Sequence, residues 1–123
     1  MKSHYKIFFG DILMVPNRFI PEFRDSSKDL NQRRPNLTIS KCNTDGISVL
    51  SPGTKKKQNN EESFIKIDYT PHNRLVYNTF FILRIKYVLT ENTIRSNNSI
   101  NYLGRVSPKQ ITQIEMKLQY RSK

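Results

Sequence analysis

The sequence predicts a mainly β fold, a small and mostly antiparallel barrel or curled sheet, closed by one C-terminal helix. Three observations carry this. The apolar residues fall in short runs rich in β-branched and aromatic types, bounded by turn signals. Only the last stretch shows apolar residues at helical spacing behind a helix-start signal. The chain has 123 residues, with no repeat and no linker, which suits one domain over 1–123 with one core.

Taken in order, "KIFFGDILMVP" reads as a strand entered from a Gly-Asp turn and stopped at Pro16. Residues 17–34 are rich in charge and lack a period, so a long loop is expected there. "PNLTISKC" alternates and is β-branched, "NTDG" at 43–46 signals a tight turn, and "ISVLS" follows at once, which predicts a hairpin. "PGTKKKQNNEES" (52–63) reads as a polar loop, "FIKID" as a short strand and "YTPHNRLVYN" as another loop. "TFFILRIKYVL" is expected to be one long strand, central in the sheet. "TENTIRSNNSI" reads as a polar connection, and "NYLGRV" as a last short strand or a lead-in. Then "SPKQITQIEMKLQ" offers Ser107 as N-cap, Pro108 at the first helical position and Gln110 to complete a capping box. Ile111, Ile114 and Leu118 form one apolar stripe, giving a helix of about three turns. The expectation is five or six strands and one helix.

The formal net charge is +11, from 21 Lys and Arg against 10 Asp and Glu. Polyanions are the natural partners: nucleic acid, an acidic protein segment or an anionic membrane surface. The plainer reading is solubility, or a Lys- and Asn-rich codon bias. The single cysteine, Cys42, cannot form an internal disulfide or build a zinc site; it points to a reducing compartment and reads as a small buried hydrophobe. No apolar run approaches the roughly 20 residues of a membrane helix. The longest carries Arg84 and Lys86, and the N-terminal apolar stretch is too short for a signal peptide. A cytoplasmic protein with no membrane partner is expected. Phosphate-binding glycine loops, HExxH and Cys/His metal spacings are missing from the sequence, so no metal and no cofactor are expected. His4 and His72 read as surface histidines.

Two segments carry chemistry. In "RRP", Pro35 holds Arg34 extended at the mouth of a strand, where its guanidinium can fork onto two phosphate oxygens; a solvated lead-in is the alternative. In "SPGTKKK" (51–57), Gly53 permits close approach and Thr54 presents a hydroxyl beside three lysines, which form either a solvated loop or a phosphate track.

These segments, in this order, resemble the MazF/PemK (Kid) family of toxins from type II toxin–antitoxin systems. "GDILMV" (10–15) is similar to the family's opening Gly-Asp/Glu-Ile strand, and "RRPNLTIS" to its Arg-Pro and aliphatic strand. "ISVLSPGTKKK" resembles its next strand and polar loop, and "FIKID" the short strand after it. "TFFILRIKYVL" stands where the family has an Asp/Glu-Gln strand, and "YLGRVSPKQITQIEMKLQ" resembles its closing strand and capped helix. The resemblance implies an SH3-like small barrel (MazF/PemK/CcdB-like) that forms a homodimer. It implies a metal-independent endoribonuclease cutting single-stranded RNA at short sequences, and an acidic antitoxin as partner. In that chemistry the 2′-hydroxyl attacks the adjacent phosphorus, leaving a cyclic phosphate and a 5′-hydroxyl end. The family's catalytic Arg falls on Arg34 and its Thr on Thr54; Arg24, Arg33, Lys55, Lys56 and Arg84 are the candidate substrate contacts.

The sequence departs from the pattern in two places. The first loop, "FRDSSKDLNQRR", is longer than the family's and has no glycine. The family's Asp/Glu-Gln pair falls on Leu83 and Arg84, which leaves Glu22, Asp25, Asp29 and His72 as groups for proton transfer. The departure keeps two other readings open: a catalytically weak or inactive small-barrel module that binds RNA or protein, and a gyrase-directed toxin of the same fold.

Overall fold

The computed structural model describes residues 7–24, 28–40, 46–56 and 64–122, the side chains through residue 119. Seven strands pair antiparallel: β1 (Asp11–Pro16), β2 (Arg33–Thr38), β3 (Ile47–Thr54), β4 (Phe64–Ile67), β5 (Thr79–Ile82), β6 (Tyr87–Thr90) and β7 (Asn101–Arg105). The order across the sheet is β4-β5-β3-β2-β1-β7, with β6 on the first half of β3. Three helices complete the described residues: α1 (Pro21–Arg24), α2 (Glu91–Ser96) and α3 (Pro108–Ser122).

Strand β3 makes the sheet curl. Its first half, Ile47–Leu50, pairs with β6, and its last two residues, Gly53 and Thr54, pair with β5. Both halves of one eight-residue strand are therefore edged by different partners. Pro52 sits at the change, where a missing N–H is tolerated. Gly53 is required for the close approach: a Cβ there would lie 2.5 Å from Thr79 Cγ2 and 3.0 Å from the Pro35 carbonyl oxygen.

Strand alternation sends neighbouring residues to two cores. Leu13, Val15, Ile20, Phe23, Leu50, Tyr87 and Leu89 fill one; Ile12, Leu37, Ile65, Ile67, Phe81 and Leu83 fill the other. Helix α3 covers the second core with Ile114, fully buried, flanked by Ile111 and Leu118. The capping box forms as expected: Gln110 N donates to Ser107 Oγ at 3.2 Å, and Ser107 N donates to Gln110 Oε1 at 2.9 Å. Ser107→Ala is expected to cost about 1 kcal/mol, read as a lower urea midpoint with an unchanged slope. No helix among the described residues is long and apolar enough to cross a membrane.

Five expectations are corrected. The run 79–89 is two strands: Ile85 N donates to the Ile82 carbonyl (3.1 Å), closing a turn that sends Leu83 and Ile85 into different cores. Residues 17–24 are ordered as a 3-10 turn (Asn17–Phe19) and α1, because Ile20 and Phe23 are buried. Residues 91–96 form a helix capped by Thr90, whose hydroxyl accepts from Thr93 N, with Ile94 buried beneath. Strand β3 runs on to Thr54 where a loop from residue 52 was expected, and the strands among the described residues number seven where five or six were expected. His4, Asp25, Cys42 and most of the 43–46 turn lie outside the described residues.

Candidate nucleic-acid interface

Arg34 and Arg33 open β2, and Thr54 ends β3. The β2–β3 register pairs Asn36 with Pro52, so its continuation by two residues sets Arg34 opposite Thr54 on one face. The Arg34 side chain ties the two strand ends together, its Nη1 donating to the Gly53 carbonyl at 3.1 Å. On its other side Nε donates to Asn17 Oδ1 at 2.6 Å. The guanidinium carbon lies 4.7 Å from the centre of the Phe23 ring.

These partners are all neutral, and no carboxylate among the described residues pairs with Arg34. Half-burial desolvates the guanidinium and holds its pKa below the usual arginine range, an effect the phenols of Tyr77 and Tyr87 oppose. The charge is held in a fixed place, partly out of water, and is not neutralised. Such a group is prepared to meet an anion.

The backbone of Arg34 is fixed from beneath. Its carbonyl accepts from Asn36 Nδ2 at 2.9 Å, and Asn36 Oδ1 accepts from the Tyr87 hydroxyl at 2.6 Å, inside the core. Burial pushes the Tyr87 phenol far above its ordinary pKa, with Arg34 pulling the other way, so the phenol is a proton donor rather than a base. Above pH about 10 the unfolded phenol loses its proton while the folded one keeps it. The unfolded state then binds fewer protons, and stability falls as pH rises. Tyr102, also raised by burial, adds in the same direction. Urea midpoints measured from pH 9 to 11 are expected to fall, and to fall less steeply in Tyr87→Phe.

Thr54 is half-buried, and its Oγ1 accepts from Lys56 N at 3.2 Å, leaving its proton for another acceptor. Lys55 is exposed, with Nζ 5.8 Å from the centre of the Tyr77 ring. Arg24 is exposed on α1, its Nε donating to the Arg18 carbonyl. Arg33 is exposed opposite Pro16, and Arg84 is exposed in the turn between β5 and β6. The structure thus gathers Arg34, Thr54, Lys55 and Lys56 at the end of β3. Among the described residues the Arg34 guanidinium meets Asn17, Gly53 and Phe23, and neither Arg33 nor Arg84 is one of its partners.

Of the proton-transfer candidates, Asp29 gives its carboxylate to Asn31 N, Glu22 is exposed on α1, and His72 is exposed in a turn bonded to β7 through its carbonyl. Leu83, where an acidic residue was expected by resemblance, is fully buried in the second core. Sequence reasoning missed Asn17, Phe23, Asn36, Tyr77 and Tyr87. The one local signal was Asn17, a residue that favours turns, directly after the strand-ending Pro16.

No protein-family model matches the chain, and no curated protein matches it. Solved structures do. MazF from Deinococcus radiodurans aligns with a TM-score of 0.61 at 18% identity, covering 94% of each chain. This chain has the MazF fold. The MazE–MazF complex of the same organism gives 0.61 at 14% identity in its form II, over 94% of this chain and 93% of that one. Its form III gives 0.58 at 14%, over 93% of each chain. The expected mainly β fold with a closing helix is thus that of MazF along nearly the whole chain.

Proposed function

We propose that residues 1–123 form a single MazF/PemK-like domain, the toxin of a toxin–antitoxin pair, which cuts single-stranded RNA without a metal. One observation carries the reading: the Arg34 guanidinium, half-buried and among the described residues held only by neutral groups, at the strand end where Thr54 presents its hydroxyl. The resemblance of "RRP" and "SPGT" to the family's motifs and the shared MazF fold support it.

In this reading the RNA 2′-hydroxyl attacks the adjacent phosphorus. Charge builds on the phosphate oxygens, and Arg34, partly withdrawn from water, stabilises it. Thr54 donates its free proton to one of those oxygens, and Lys55 and Lys56 hold the neighbouring backbone. The products are a cyclic phosphate and a 5′-hydroxyl end. The solved MazE–MazF complexes support a partner for this chain too, an acidic antitoxin segment drawn by the +11 charge. A cytoplasmic homodimer completes the proposal.

Purified protein incubated with a long RNA in EDTA is expected to cut it at a short motif, at the same rate with and without the chelator. Intact RNA after prolonged incubation with folded protein contradicts the reading. A second reading, RNA binding without cleavage, is favoured by the burial of Leu83 where the family carries an acidic residue. It predicts salt-dependent retention in a gel shift with no new ends. A gyrase-directed toxin would leave RNA intact and damage DNA.

A further inference from the structure

We propose that Asn17 is the positioning residue of the site: its carboxamide sets the guanidinium plane of Arg34 without cancelling its charge. The inference rests on the RNA-cutting reading above and deepens it. Asn17 is fully buried, an unusual place for an asparagine. Its side chain is used at both ends. Oδ1 accepts from Arg34 Nε at 2.6 Å, and Nδ2 donates to the Asp29 carbonyl at 2.9 Å. Its backbone N–H donates to the Gln32 carbonyl at 2.9 Å. Asn17 is therefore pinned by the far end of the connection between β1 and β2, and its amide cannot flip without losing both side-chain bonds.

The geometry assigns the donors of Arg34. Nε is taken by Asn17 and one proton of Nη1 by Gly53, which together fix the guanidinium plane against Phe23. Among the described residues the second Nη1 proton and the Nη2 protons have no acceptor, and they remain for a phosphate. A group placed this way has lost its freedom before the substrate arrives, so its full effect falls on the transition state. The chemistry of the acceptor matters as much as its place. A carboxylate at 17 would give up the bond to the Asp29 carbonyl but still accept from Arg34 Nε and pair its charge, leaving less for the RNA.

The test uses the full chain and three readouts. The first is the Arg34 Nε–Hε signal in a 1H–15N spectrum, assigned by its loss in Arg34→Lys. It is expected to exchange slowly in the wild type and to merge with solvent-exposed arginines in Asn17→Ala. The second is cleavage of a long RNA in EDTA: Asn17→Ala is expected to lose about 10- to 100-fold in kcat, with KM changed less than about threefold. The third is affinity for a 2′-O-methyl RNA of the same sequence, which cannot be cut. Asn17→Asp, close to asparagine in volume, is expected to keep the Hε signal and lose at least about tenfold in affinity. An Hε signal unchanged in folded Asn17→Ala, or wild-type RNA affinity in Asn17→Asp, overturns the proposal. A wild type that shows the signal but cuts no RNA overturns the functional reading instead.

Discussion

Arg34→Ala is expected to slow RNA cleavage by about 10²- to 10³-fold, with the fold retained. The substitution removes the charge that meets the phosphate and the link between the ends of β2 and β3. It also leaves the buried Asn17 Oδ1 without its donor, which costs about 1–3 kcal/mol and lowers the urea midpoint. Arg34→Lys separates charge from shape. A lysine keeps the positive charge, but its single ammonium cannot reproduce the planar fork that bonds Asn17 and Gly53 and still faces a ligand. RNA binding with its salt dependence is expected to survive in Arg34→Lys, while cleavage falls nearly as far as in Arg34→Ala. Initial rates and gel shifts at two salt concentrations read both effects. Equal cleavage by the wild type and Arg34→Ala would remove Arg34 from the chemistry.

Gly104→Ala is expected to give the largest loss of stability, about 1–3 kcal/mol or more. A Cβ at 104 would lie 2.5 Å from the His72 carbonyl oxygen and 2.6 Å from the Asn73 carbonyl carbon and oxygen. These are backbone atoms, and they cannot swing aside as a side-chain tip can. The turn that carries them is fixed by Asn73, 1% exposed, whose Oδ1 accepts from Thr70 N and Leu75 N and whose Nδ2 donates to the Asp68 carbonyl. Arg105 N also donates to the His72 carbonyl, so β7 and the turn must move together or separate. The same connection leads to Tyr77, whose ring centre lies 5.8 Å from Lys55 Nζ, so some loss of activity is expected to accompany the loss of stability. Urea unfolding of Gly104→Ala checks this; a midpoint equal to the wild type would contradict the close packing.

The sequence showed most of the fold where local chemistry decides. The capping box at Ser107 and the stripe Ile111, Ile114, Leu118 specify α3 within a few residues of one another, and the structure keeps both. Strands β1, β2 and β4 alternate or run apolar over short spans, and the MazF fold accommodates them in the expected order. The run 79–89 misled because its composition is β-rich throughout. Its break depends on β3 being shared between two partners, a long-range fact that no window of residues contains. Helix α2 was hidden by polar composition, although Thr90 and Ile94 carry its cap and its buried face.

The candidate site divides in the same way. Arg34 and Thr54 were legible from Pro35 and Gly53, residues that constrain the backbone beside them. Their adjacency comes from the β2–β3 register. Asn17, Phe23 and Tyr87 were not legible, because each reaches Arg34 or its support from an element separated by ten or more residues. A charged stretch such as 17–34 reads as solvated until the two apolar residues that fold it back, Ile20 and Phe23, are seen in the core.

The end chemistry of the cut RNA tests the central claim most directly. A long single-stranded transcript is incubated with the protein in EDTA, and its new 5′ ends are mapped and tested for phosphorylation by a kinase. The account predicts 5′-hydroxyl ends at a short recurring motif, accepted by the kinase without prior phosphatase, and their disappearance with folded Arg34→Ala. New ends bearing 5′-phosphates, or the same ends produced by Arg34→Ala, would contradict it.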